Sequence, residues 1–182
     1  MRVIAGIRKG LKLNAPDGMD TRPTTDRVKE SVFNILQPYV PKDRVLDLFA
    51  GSGGLGIEAL SRRCSHCTFV EHNRAAFSVV RQNIKASGFE DCSSLVFSDS
   101  MAYLDGCAEP YDIIFLDPPY NKGFLYPVLD KIIKKGLLNE DGIIVAETEK
   151  DGEEAEHPEL SVVRRAKYGK TIITVLRRGE IE

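Results

Sequence analysis

Residues 45–56 read VLDLFAGSGGLG. An apolar run, Val45–Phe49, is interrupted only by Asp47 and leads straight into Gly51, Gly53 and Gly56. The run has the length and character of a strand buried on both faces. Glycines at G-x-G-x-x-G spacing let the backbone turn tightly, pass close to a ligand and open a helix. Strand, glycine turn and helix in that order form the first unit of a doubly wound parallel sheet.

Outward from this unit the pattern repeats. CTFVEH (67–72) is a strand followed by a helix over 74–87 that Gly88 ends. LVFSD (95–99) is a strand followed by a short helix around Met101–Leu104. DIIFLD (112–117) is a strand followed by a helix from about 124 to 135, stopped at Gly136, and GIIVAET (142–148) is a fifth strand. Strand–helix alternation with short links implies a parallel sheet with helices on both faces. Segments 161–167 and 171–178 flank Tyr168-Gly169-Lys170 as a closing antiparallel hairpin. Upstream, Val28, Val32, Ile35 and Leu36 recur at helical spacing, so a helix is expected over 25–37. The loop PDGMDTRPTTD precedes it, and residues 2–13 read as a short hairpin or a pair of extended pieces around Gly6 and Gly10. The expected fold is α/β and Rossmann-like, with a doubly wound, mostly parallel seven-stranded sheet. A hairpin-and-helix extension, residues 1–43, would precede the main domain, 44–182.

A chain of 182 residues can bury one good core. With 42% hydrophobic and 29% charged residues it has the balance of a soluble protein. No apolar run is long enough to span a membrane, and the basic start MRVIAGIRKG lacks the apolar centre of a secretory signal. A cytoplasmic monomer is expected. Cys64, Cys67, Cys92 and Cys107 then read as free thiols, because Cys64-x-x-Cys67 has no second ligand pair and no metal is implied. The net charge of −2 excludes a bulk polycation. The charge is uneven, however. The first fifteen residues carry Arg2, Arg8, Lys9 and Lys12 without an acid, and 161–178 carry Arg164, Arg165, Lys167, Lys170, Arg177 and Arg178, again without one. Such patches in an acidic chain favour a phosphate-bearing partner.

Ligands of doubly wound sheets bind beyond the carboxyl ends of the strands. That rim carries Asp47, Glu71, Asp99 and Asp117, each at or near the end of its own strand. Helix capping accounts for one or two such acids more easily than for four. The glycine spacing with Glu71 about 20 residues on also fits a nicotinamide dinucleotide. Asp47 weighs against that reading, because a carboxylate just before the glycines repels a pyrophosphate and suits a cation. S-Adenosylmethionine carries a sulfonium and an ammonium and no phosphate. Asp47 would meet its ammonium, Glu71 its ribose hydroxyls and Asp99 its adenine amine, with the Ser100 N–H on a ring nitrogen. Phe49, Gly51, Ser52, Gly53 and His72 fall in the same turns and are assigned to the cofactor with them.

The fourth strand ends in Asp117-Pro118-Pro119-Tyr120. Prolines continue neither a ladder nor a helix interior, so this is a stiff turn. An exocyclic base amine is a poor nucleophile, its lone pair being delocalised into the ring. Asp117 and the Pro118 carbonyl offer two acceptors for its N–H groups, the prolines keep that carbonyl rigid, and Tyr120 offers a stacking face. A glycine loop of this form paired with DPPY resembles the class I methyltransferases that modify exocyclic amino groups of bases.

The resemblance extends to the ends of the chain. VIAGIRKGLKL, Arg22-Pro23-Thr24, Val28-Lys29-Glu30, Phe33-Asn34 and DLFAGSGGLGIEALSR look like the RsmD family of 16S rRNA guanine-N2 methyltransferases. The family form often has DPPF, so Tyr120 replaces one aromatic ring by another. The resemblance implies transfer of one methyl group to N2 of a guanine in the 30S subunit, with ribosomal proteins aiding recognition. It places Arg22 and Thr24 in a signature that closes over cofactor and base, and Arg2, Arg8, Lys9 and Lys12 in a head that grips RNA. Local DPPY chemistry does not separate guanine N2 from adenine N6. An adenine-N6 or other amino methyltransferase on DNA or another RNA therefore stays open, as do a nicotinamide-dependent oxidoreductase and a non-catalytic RNA-binding module.

Overall fold

The computed structural model describes residues 1–16, 24–119 and 123–179, and no side chain of Thr24 or Thr25. In chain order the elements are α1 (Thr24–Ile35), β1 (Arg44–Asp47), α2 (Gly54–Ser61), β2 (His66–Glu71), α3 (Arg74–Ser87), β3 (Ser93–Phe97), α4 (Ser100–Gly106), β4 (Tyr111–Leu116), α5 (Leu125–Lys134), β5 (Leu138–Glu149), β6 (Leu160–Tyr168) and β7 (Thr171–Arg178). The seven strands form one sheet in the order β3-β2-β1-β4-β5-β7-β6. β1 to β5 are parallel, and β7 lies antiparallel to both β5 and β6. The expected class and strand number are therefore found. Among the described residues no helix is long and apolar enough to cross a membrane.

Alternation along the central strands divides the core. Val45, Phe69, Ile113, Phe115 and Val145 face one way and pack with Val28, Val32, Phe33, Ile57 and Val80 of α1, α2 and α3. Leu46, Val70, Ile114, Leu116 and Ile144 face the other way and pack with Leu104 of α4 and Leu125, Leu129 and Ile132 of α5. The strands flanking the centre are apolar on both faces because both faces are covered. Val3 and Leu13 of the head belong to the first of these clusters, so the head and the sheet share a core.

The order reverses between β1 and β4. After β1 the chain builds outward through β2 and β3, and after β3 it crosses back to β4 on the far side of β1. The carboxyl ends of β1 and β4 thus flank a topological switch point, where a crevice opens. The glycine turn leaves one strand there and the DPP turn leaves the other.

Several boundaries differ from the sequence expectation. The head is a pair of extended pieces, held antiparallel by backbone hydrogen bonds from Val3 N–H to the Leu11 carbonyl (2.9 Å), Gly10 N–H to the Val3 carbonyl (2.8 Å) and Leu13 N–H to the Met1 carbonyl (3.0 Å), too short to count as two strands. It holds a single antiparallel bridge, Arg2 to Lys12, around a 3-10 turn at Gly6–Arg8. Beyond these, the backbone N–H groups of Ile4 and Ala5 donate to the Glu58 carboxylate, at 2.8 and 3.0 Å. β5 begins at Leu138 rather than at residue 142, with a register shift between Tyr111 and Ile113. β3 stops at Phe97, leaving Ser98 and Asp99 beyond the strand.

Candidate active site

Asp47 is the last residue of β1 and is buried. Its Oδ2 accepts the N–H of Gly56 at 3.0 Å. Burial pushes its carboxyl up to about 7; the Gly56 hydrogen bond opposes the rise and the nearby Glu71 charge adds to it. Glu71 ends β2. Its Oε2 accepts the N–H of Gly51 at 2.8 Å and its Oε1 that of Asn73 at 2.7 Å. Two N–H groups of the glycine turn and its helix are thus taken by carboxylates. A pyrophosphate placed there would meet two acids instead of free donors, which disfavours the dinucleotide reading.

The three glycines serve different ends. Gly51, at φ +56°, has open space where a side chain would project, so its backbone faces the cleft bare. A Cβ on Gly53, at φ +78°, would lie 2.6 Å from Val80, and one on Gly56 would lie 2.3 Å from the Phe69 ring. These two permit close packing of the turn and α2 against α3 and β2 and are not wall residues of the cleft.

A cleft of about 840 Å³ opens at the switch point. Of the residues expected at the cofactor, Asp47, Phe49, Gly51, Ser52, Glu71, His72 and Ser100 line it. Asp99 does not. It caps α4, its Oδ1 accepting the N–H groups of Met101 and Ala102 at 2.9 and 3.2 Å, and the neighbours Ser98 and Ser100 form the wall. The early end of β3 turns this acid from a rim residue into an N-cap. Val28, Lys29 and Val32 bring α1 to the cleft. Thr24 opens that helix, its side chain outside the described atoms, and Arg22 and Tyr120 lie outside the described residues.

Asp117, Pro118 and Pro119 line the opposite wall. Asp117 is exposed to the open cleft, yet the protein crowded around it pushes its carboxyl well above the ordinary range, and the charges of Glu147 and Asp47 add to the push. Water in the open cleft moderates that effect, and a base or cofactor displacing the water strengthens it.

Four contributors carry no clear mark in the sequence. Glu147, near the end of β5, lines the cleft beside the DPP turn, and the rim rule that selected the other acids extends to it. The β6–β7 turn, Tyr168 to Thr171, closes one side, where its sequence marks no more than a hairpin. Glu58, fully buried on α2, collects Ile4, Ala5, the Arg62 Nε at 2.9 Å and the Lys29 ammonium at 3.5 Å; an acid inside the apolar run GLGIEALS was its signal. Burial pulls the Lys29 ammonium down in pKa, and Glu58 opposes this. Asn83, buried on α3, donates Nδ2 to the carbonyls of Ser52 (2.8 Å) and Asn14 (2.9 Å) and accepts the Asn14 N–H at 2.8 Å. No local pattern marks it.

The basic head is partly committed to the fold. Arg8 donates Nε to the Ser87 carbonyl at 2.6 Å and lies over the Phe89 ring, so it tethers the head to the end of α3. Arg2 pairs with Asp26 at 3.3 Å. Lys9 and Lys12 are exposed and make no ion pair among the described residues. Cys64 and Cys67 are buried thiols, both pushed up by burial. Among the described residues no group of three His, Cys, Asp or Glu side chains could hold a metal.

A seven-stranded sheet with a final antiparallel strand inserted beside β5, and an acid-lined cleft at its switch point, defines a class I methyltransferase. The matches to known proteins agree. Over 98% of its length the chain is 43% identical to the Bacillus subtilis (strain 168) protein named "Putative rRNA methyltransferase YlbH", covering 99% of that protein. It is 38% identical to "Ribosomal RNA small subunit methyltransferase D" of Escherichia coli (strain K12), over 82% of this chain and 75% of that one. The solved structure titled "Putative methyltransferase yhhF from Escherichia coli" superposes with a TM-score of 0.87 at 34% identity, covering 98% of this chain and 97% of that one. The chain belongs to the family described as Conserved hypothetical protein 95, matched over residues 1–177, the same RsmD family that its motifs resemble.

Proposed function

We propose that this protein transfers a methyl group from S-adenosylmethionine to the exocyclic N2 amine of one guanine in 16S rRNA of the small ribosomal subunit. The observation that carries this reading is the meeting of the glycine turn and the DPP turn in one cleft, at the ends of β1 and β4. The relatives named for rRNA methylation support the choice of RNA.

The residues present fit the cofactor. Asp47 and Glu71 give the cleft a negative wall suited to a cation, Gly51 leaves room for close approach, and Ser98 and Ser100 flank the far end. When bound, the cofactor supplies an electrophilic methyl group on sulfur. The chain supplies placement. Asp117 and the Pro118 carbonyl accept the two N–H bonds of the amine, keeping its nitrogen aimed into the cleft, and most of the acceleration comes from that alignment. Tyr120 stacks on the base. The nitrogen becomes acidic only as it is methylated, so the proton leaves late and passes to Asp117, whose raised affinity for a proton suits it to that task. Lys9 and Lys12 engage RNA phosphates. The assembled 30S particle, with ribosomal proteins near the target, is the working substrate. The protein acts as a cytoplasmic monomer.

The test uses methyl-labelled S-adenosylmethionine with undermethylated 30S subunits, naked 16S rRNA, tRNA and duplex DNA in parallel, followed by digestion to nucleosides. Label should be found in N2-methylguanosine from 30S subunits. Label in N6-methyladenine, or only in DNA or tRNA, would refute the substrate. Asp117→Ala should bind S-adenosylhomocysteine normally and lose transfer by at least about 100-fold; normal transfer by that variant would remove Asp117 from the mechanism.

A further inference from the structure

We infer that Glu147 reads the target base, accepting the N1–H of guanine while Asp117 and the Pro118 carbonyl hold its N2 amine. The inference deepens the function proposed above and rests on it.

The placement follows from strand register. β4 and β5 run parallel with Phe115 beside Val145 and Leu116 beside Ala146. The residues that follow are Asp117, the first residue past the end of β4, and Glu147, still within β5. Adjacent strands lie about 4.8 Å apart. By alternation both side chains emerge on the face of Phe115 and Val145, the face that α1 covers. Both line the same cleft, together with Pro118 and Pro119. They are close enough for the charge on Glu147 to raise the Asp117 carboxyl. Glu147 is half-buried, so a base entering the cleft meets its carboxylate with little water between.

Two neighbouring acceptors match two neighbouring donors. The Watson–Crick edge of guanine presents the N2 amine beside N1–H, both donors. Adenine presents its N6 amine beside N1, which carries a lone pair. With the amine seated on Asp117, the adjacent ring position faces Glu147. Guanine then completes a charge-assisted hydrogen bond, whereas adenine sets acceptor against acceptor in a desolvated site. The DPP turn alone fits either amine, and the acid on the next strand separates them. Such a site rejects the wrong base because it forces two acceptors against one another.

The test alters the ring position without altering the amine. The nucleotide labelled in the preceding experiment is replaced by 2-aminopurine in ligated 16S rRNA reconstituted into 30S subunits. 2-Aminopurine keeps the 2-amino group, turns N1 into an acceptor and lacks O6, so the change of preference in Glu147→Gln, rather than the preference alone, reports the N1 contact. The wild-type protein should prefer guanine by at least about 100-fold in kcat/KM. Glu147→Gln, whose amide can donate to N1 or accept from N1–H, should reduce that preference below about tenfold, chiefly by gaining on 2-aminopurine. Glu147→Ala should lose on guanine without gaining on 2-aminopurine. Binding of S-adenosylhomocysteine by each variant reports an intact core. Equal wild-type rates on guanine and 2-aminopurine would overturn the inference whether or not the variants fold. So would a preference unchanged by Glu147→Gln. Both results leave guanine methylation standing. A wild-type protein that labels no guanine sinks the proposed function and this inference together.

Discussion

Asp47 concentrates the electrostatics of the cleft in one side chain. It sits at the end of β1, buried, with a carboxyl raised to about 7 from an ordinary 3.8. A carboxyl raised on folding favours the protonated native state. Its contribution to stability is complete below about pH 4 and is lost as pH rises through about 7. A cationic ligand reverses the preference, because it needs the ionised form. S-Adenosylmethionine should therefore bind more tightly at pH 8 than at pH 6, with release of a proton at the lower pH. Calorimetry in buffers of different ionisation enthalpy reads that proton directly. Asp47→Asn should abolish the pH dependence and weaken binding at pH 8 by about tenfold or more. An affinity that is flat from pH 6 to 8, with no proton released, would mean that Asp47 does not face the cation.

Among the elements, α2 has the most consequence beyond its own length. All its residues but Leu55 are buried, and Glu58 on it holds the head by two backbone N–H groups. The same carboxylate is the partner of Lys29 on α1, itself almost wholly enclosed. Glu58→Ala should lower unfolding free energy by about 3–5 kcal/mol, because it strands a buried ammonium. Urea unfolding measures the loss, and Lys29→Met in the same background should recover part of it. A loss no larger than that of an exposed substitution would show that α2 does not hold the head. The helices and parallel strands were legible in the sequence because burial imposes periods of 3.6 and 2 and glycines mark the turns. The roles of single acids were less so. Asp47, Asp99 and Asp117 all lie at or just past the ends of apolar strands, and only the point where β3 ends decides that Asp99 caps a helix. Glu58 and Asn83 act on segments far away in the chain, so no local pattern could reveal what they hold.

For the whole molecule, uneven charge suggests RNA, and two of the head's four basic residues also have partners within the fold. Arg8 and Arg2 are occupied within the fold, whereas Lys9 and Lys12 project from the head. Reversing Lys9 and Lys12 together to Glu should raise KM for 30S subunits by tenfold or more at low salt. It should also flatten the salt dependence of RNA binding, since each lost phosphate contact removes a little under one unit of slope. Cofactor affinity and melting temperature should stay as in the wild type. Arg8→Glu should lower the melting temperature as well, having removed a tether to Ser87. Wild-type KM values for the Lys9 and Lys12 variant across a salt series would move the RNA site off the head, toward Lys167 and Lys170 on the far hairpin.

The amide of Asn83 bonds at once to Ser52 in the glycine turn and to Asn14 at the end of the head. One side chain therefore sits between the loop proposed to meet the methyl donor and the segment proposed to meet the acceptor. Where two ligands bias a common bracket, linkage requires that each change the affinity of the other by the same factor. Donor and acceptor are then heterotropic effectors of one another, and titrating either in the presence of the other reads a single coupling constant from both ends.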